Sequence, residues 1–307
     1  MTYLVSWLLR YGLASGSEDR WVVRSLGWEY MRIDNQSCRV RACLLLAVLA
    51  LIPLSAAAVG DRGADGEFAR RDSFHFNLFQ DVDIDEASGL YGSRKFEQEI
   101  LSELESAYDR LGTLLSLRPE RKIDVYVWDP SLFDAKYAGL FRFPAAGFYS
   151  GAIHIRGLTK VTPSLVRVLH HELVHAAFDA EAPRVALPAW MNEGIAEWFE
   201  VRAMGKRGIT GQERAVLSKL ATQGHLFALA DMSGRSLGGF DTNAASVAYL
   251  ESYAFIDFLV RSHGEDRLVQ FWSAVIRSRS VDRGARRAYR KPLADLEADF
   301  RRSLSAR

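Results

Sequence analysis

An α+β fold is what the sequence predicts: a small sheet lobe, then a helical lobe, with a cleft between. Two observations carry this. Short apolar runs of strand length are confined to the first half of the chain, and after Thr162 the apolar residues recur at helical spacing only. At 307 residues and 49% hydrophobic content the chain can bury the core of one or two ordinary domains. No internal repeat interrupts this order.

The elements follow in turn. Asp61 to Asp72 is rich in glycine and charge and reads as the end of a linker over 59–72. Phe74 to Phe79 alternates apolar and polar residues over a strand's length, with His75 an exposed strand residue rather than a ligand. From Ser93 to Leu117, Phe96, Ile100, Leu101, Leu104, Tyr108 and Leu111 recur at helical spacing. Ile123 to Trp128 is a short buried strand stopped by Asp129-Pro130. Ala145 to Ile155 reads as a hairpin or edge strand, with an interior strand as the alternative and His154 on a strand face. These segments form the sheet lobe, 73–160.

The helical lobe, 161–307, opens at Thr162-Pro163, a capping threonine followed by a proline that a first helical turn tolerates. Pro183 and Pro188 break the chain, and a second helical pattern begins near Asn192. Val247 to Leu259 and the stretch from Tyr289 to Phe300 are also helical. His225 and His263 stand alone and carry no expected chemistry.

Residues 1–58 differ from the rest. Arg39 and Arg41 precede an apolar run from Ala42 to Leu54 that closes on Ser55-Ala56-Ala57-Ala58, the layout of a secretory signal peptide. Met31 as the start would put that layout at the terminus, leaving residues 1–30 an over-extended start. The alternative is an uncleaved anchor giving membrane association through 42–59, a run near the lower length limit for a span and containing Pro53. The expected location is therefore exported, periplasmic or secreted, or else membrane-anchored. Both cysteines, Cys38 and Cys43, precede the cleavage point, so the mature chain would rest on core burial and a metal rather than disulfides.

Chemistry is concentrated in His171-Glu172-Leu173-Val174-His175 and in Glu193 of Trp190-Met191-Asn192-Glu193-Gly194-Ile195-Ala196-Glu197. Two histidines four apart on a helix share a face and can direct imidazole nitrogens at one ion, with the intervening glutamate aimed at its open side. The proline-broken connection lets the second helix fold back and present Glu193 as third ligand. Two His and one Glu leave a fourth position for water, as catalytic zinc requires. One Zn2+ per chain is the expected cofactor, with Glu172 as general base. Glu197, one turn on, either accepts the free ring N–H of His171 or joins Glu200 on a solvated helix face, the position expected for Glu200.

These two segments resemble the gluzincin metallopeptidases, and in particular peptidase-MA-like domains, distantly similar to the zinc aminopeptidases. The latter carry a W-L-N-E-G-F-A type segment with one more residue between the second His and the Glu, a difference a loop absorbs. The likeness covers roughly residues 70 to 305 and is strong only at the two motifs. It implies a zincin-like arrangement in which Tyr249, matched by position, donates its hydroxyl to the oxyanion; the alternative for Tyr249 and Tyr253 is an amphipathic-helix core. It also implies that an edge strand beside the cleft pairs with extended substrate, which points to Gly151, Ala152 and Ile153. Tyr289 to Phe300 is similar to the closing helix of such domains. No counterpart of the aminopeptidases' G-A-M-E-N strand is present.

The expected activity is hydrolysis of a peptide bond by an exported zinc metallopeptidase acting on peptide or protein substrates. Its rival is a catalytically silent zinc-binding envelope protein that serves as a binding or assembly module. A net charge of +1 and the lack of an aromatic and basic stripe argue against a nucleic-acid partner.

Overall fold

The computed structural model describes residues 67–305 apart from 83, 85–89, 138 and 141–144. The expected signal or anchor and the question of the start fall outside them. Among the described residues no helix is long and apolar enough to cross a membrane.

Five strands, β1 (Ala69–Asp72), β2 (Phe76–Asp81), β3 (Ile123–Trp128), β4 (Gly147–Tyr149) and β5 (Ile153–Arg156), form one sheet in the order β1-β2-β3-β5-β4. The centre, β2-β3-β5, is parallel, and an antiparallel strand closes each edge. Parallel neighbours need crossovers. These are supplied by α1 (Leu90–Leu115) between β2 and β3 and by α2 (Pro130–Tyr137) within the link from β3 to β5. Leu78, Val125 and Ile153 align across the register and are fully buried. The period of two sends Phe79, Tyr126 and His154 to the opposite face, where Tyr126 stacks on both Phe79 and His154.

Three expectations are corrected here. Residues 69–72 are a strand, not linker: Ala-Arg-Arg-Asp has no apolar alternation, and it is held at the edge by antiparallel pairing with β2 and by the Arg71–Glu97 ion pair. His75 is not an exposed strand residue: it precedes β2, stacks on Tyr108 at 3.6 Å and meets Glu105 Oε2 through Nδ1 at 2.6 Å. The cleft-edge role given to Gly151, Ala152 and Ile153 is misplaced by one strand. Gly151, at φ +76°, helps turn a hairpin, so the residues before the turn form the edge. Those after it go inside: Ile153 pairs with Val125 on one side and Tyr149 on the other.

Seven more helices follow: α3 (Pro163–Glu181), α4 (Ala189–Ala203), α5 (Gly211–Thr222), α6 (Thr242–His263), α7 (Glu265–Ser278), α8 (Val281–Tyr289) and α9 (Leu293–Ser305). The second helix of the motif thus starts slightly before Asn192, and Tyr289 ends α8 rather than opening the closing helix. Helix α3 lies against the sheet, α4 against α3, and α6 against α4. One apolar core runs from Phe76 and Ile100 through Trp190 and Phe255 to Phe300, so the expected boundary at 160/161 separates element types and does not divide the core.

Candidate metal centre

Helix α3 begins as its sequence requires: the Thr162 hydroxyl oxygen accepts the Leu165 N–H at 3.2 Å, and Pro163 occupies the first turn. Leu165, Leu169, Leu173, Ala176 and Ala177 bury its inner face. His171 and His175, four apart, therefore stand together, ring centroids 4.9 Å apart. His170 turns into the core instead, with both ring nitrogens buried and without a partner among the described residues. Burial, helped by the Arg110 charge, pulls its pKa down to about 4.

Helix α4 has no side-chain cap. Its first amides, Ala189 N–H and Trp190 N–H, are taken by the carbonyls of Gly234 (2.8 Å) and Met232 (3.1 Å). Four residues into it, Glu193 Oε2 lies 3.2 Å from His171 Nε2 and 3.4 Å from His175 Nε2. Ligands of a tetrahedral ion with bonds of about 2.0–2.1 Å are separated by about 3.3–3.4 Å, so this donor set has the spacing and the chemistry of a zinc site. Burial disfavours the Glu193 carboxylate, yet the two imidazoles hold its pKa well below the usual range. Burial likewise opposes a charged His171 or His175, but the facing carboxylates win and raise both. This is a cationic and anionic set closed on itself, the balance a dication would take over by displacing the imidazole protons.

Behind it stands a second layer. His171 Nδ1 is 3.5 Å from Glu200 Oε2, and Arg167 Nε donates to Glu200 Oε1 at 2.9 Å. Glu200 is only 3% exposed, which overturns the solvated-face expectation. The ring N–H partner expected in Glu197 is therefore Glu200. Glu197 lies 3.9 Å from Arg167; burial and the Glu200 charge raise its pKa, while the hydrogen bonds from His171 and Arg167 keep Glu200 ionised despite burial. Residues 167, 171 and 175 of α3 form one stripe, and 193, 197 and 200 of α4 another. Paired head to tail, the stripes match Arg167 with Glu200 and His175 with Glu193, a signal the sequence already contained.

Glu172 and Tyr249 share the wall of one cavity of about 970 Å³ with His171, His175 and Glu193. Burial pushes up the pKa of Glu172, and burial with the nearby carboxylates pushes Tyr249 well above its ordinary value, keeping the phenol a donor. Tyr253, one turn on, is core: 1% exposed. The same wall includes Gly147, Phe148 and Tyr149 of β4, and Tyr149 donates its hydroxyl to Asp179 at 2.8 Å. Gly194 has a reason too: a Cβ there would sit 2.5 Å from the Ser252 carbonyl oxygen of α6. The glycine after Glu193 is what lets the helix bearing Tyr249 cross so close.

A family model described as the peptidase MA superfamily matches residues 105–306, from within α1 to one residue past α9. The match spans well over half of the sequence and includes both motifs, and the chain belongs to that superfamily, with a gluzincin-type, metallopeptidase-like domain of α+β fold. No curated protein matches this chain. The superfamily comprises peptidase-type hydrolases that are typically zinc-dependent, and the His171, His175 and Glu193 group is a set of donors able to hold such an ion.

Proposed function

We propose that this member of the peptidase MA superfamily is an exported zinc metallopeptidase in which His171, His175 and Glu193 hold the ion. A bound zinc would supply Lewis acidity, bringing the pKa of a water towards about 7 and polarising the scissile carbonyl. The protein's groups supply the rest. Glu172 takes the water's proton as the nucleophile forms and returns a proton to the leaving amine. Tyr249 donates its O–H to the developing oxyanion. Glu200, braced by Arg167, receives the Nδ1–H of His171 and so keeps Nε2 free to ligate. The open edge of β4 offers backbone groups to an extended substrate, which is strand addition at Gly147–Tyr149. Export rests on the basic flank and apolar run of the amino-terminal sequence.

What carries the proposal is the convergence of three ligand atoms, a buried carboxyl and a phenol on one cavity of about 970 Å³. It is tested by offering a mixed peptide library to the wild type and to Glu172→Gln while measuring bound zinc. The expected result is a loss of about 10²–10⁴-fold in kcat/KM with zinc content unchanged. Equal turnover by both forms would contradict it.

A further inference from the structure

We propose that Arg235 is a carboxylate-binding group in the wall of the catalytic cavity, selecting peptides that present a carboxylate beside the scissile bond. That carboxylate is either the free C-terminus or an acidic side chain. The proposal deepens the peptidase reading above and rests on it.

Arg235 is the one lysine or arginine among the described residues lining the cavity. Of the carboxylates there, Glu193 faces both imidazoles, Asp179 accepts the Tyr149 hydroxyl, and Glu172 is the general base of the proposed reaction. The side chain of Arg235 has no ion pair and no hydrogen bond among the described residues. An exposed arginine is by default a solvated one, so position decides the matter. Its neighbours are fixed to the helix that carries Glu193, because the carbonyls of Met232 and Gly234 cap the first two amides of α4. On the other side, the Ser236 hydroxyl oxygen accepts the Gly238 N–H at 2.9 Å and Leu237 is fully buried. The backbone of Arg235 is thus held on both flanks, on one of them by the helix that carries Glu193. Gly238 and Gly239, also in the wall, leave room beside it.

A guanidinium fork matches a carboxylate in geometry and charge, and held beside a cleft it discriminates acid from amide. An amine-recognising site would need free carboxylates instead. Among the described lining residues none is left over once Glu172, Glu193 and Asp179 have their roles.

The test uses the full chain as its zinc-loaded Glu172→Gln form, so that turnover does not blur binding, with and without Arg235→Gln and Arg235→Lys. Calorimetry compares two pairs of otherwise identical peptides. One pair differs in C-terminal acid against amide; the other differs in Glu against Gln beside the scissile bond. Expected is about tenfold tighter binding of the acidic member of at least one pair, a ratio near one in Arg235→Gln, and a partial preference in Arg235→Lys. The pair that responds names the source of the carboxylate. Equal binding of both members of both pairs, binding of none, or a preference that survives Arg235→Gln overturns the proposal. Cleavage is scored separately with the active protein: cleavage without acid preference sinks Arg235 alone, and acid preference without cleavage sinks the peptidase reading alone.

Discussion

Glu193 serves both imidazoles through one oxygen, and His171 in turn is served from behind by Glu200. A carboxylate that fixes a ligand's tautomer is worth about 10–100-fold in metal affinity. Glu200→Gln should therefore weaken zinc binding by that factor in a competition titration, whereas Glu197→Gln, whose nearest cation is Arg167 at 3.9 Å, should weaken it less. The reverse order would return the supporting role to Glu197. That His171, Glu172, His175 and Glu193 stand together was legible in sequence, because spacing of four on a helix and a glutamate ahead of a glycine are local patterns. Glu200 and Arg167 were not, because their partners lie on a different helix and a run of glutamates reads as solvated until the facing stripe is considered. Arg235 had no local signal at all: it sits in a glycine-rich loop, and only the carbonyls on its amino-terminal flank reveal what the loop is tied to.

At the scale of elements, the site depends on how closely α6 approaches α4. Alanine is favoured over glycine in a helix interior by about 1 kcal/mol, so Gly194→Ala would stabilise the protein if the contact were loose. A new Cβ 2.5 Å from the Ser252 carbonyl oxygen meets backbone rather than a flexible side chain. The overpacking cost, about 1–3 kcal/mol, should win. Lower thermal stability is expected, together with reduced turnover because α6 carries Tyr249; a raised melting temperature would contradict the tight crossing. Elements with strong local signatures, α3 with its threonine cap and β3 with its buried valines, could be read directly. Strand β1 was hidden by its charge. The order of β4 and β5 was hidden because a three-residue strand carries almost no period, and only the turn at Gly151 decides which strand is the edge.

The described residues share one apolar core, with polar groups buried where helices meet. Glu251 of α6 is 2% exposed, accepts the Phe227 N–H at 3.0 Å and has Arg301 of α9 at 3.9 Å. Burial outweighs both and raises its pKa to about 7, from 4.5 for an ordinary carboxyl. Between those values the folded state holds a proton that the unfolded state releases, so this stabilisation is complete below the unfolded pKa and fades as pH rises through about 7. Glu251→Gln should thus gain about 1–3 kcal/mol relative to wild type between the acidic and alkaline ends of that window, read from urea denaturation at each. A pH-independent difference would mean the carboxylate is better compensated than its surroundings imply. Among the described residues, folding also brings together two metal-capable groups, His171-His175-Glu193 and His171-Glu197-Glu200, which share His171. Diffraction at the zinc absorption edge from crystals of the zinc-loaded protein separates them most directly. One anomalous peak about 2.0–2.2 Å from His171 Nε2, His175 Nε2 and Glu193 is the predicted result. A peak between Glu197 and Glu200, or none, would contradict the proposed centre and the chemistry built on it.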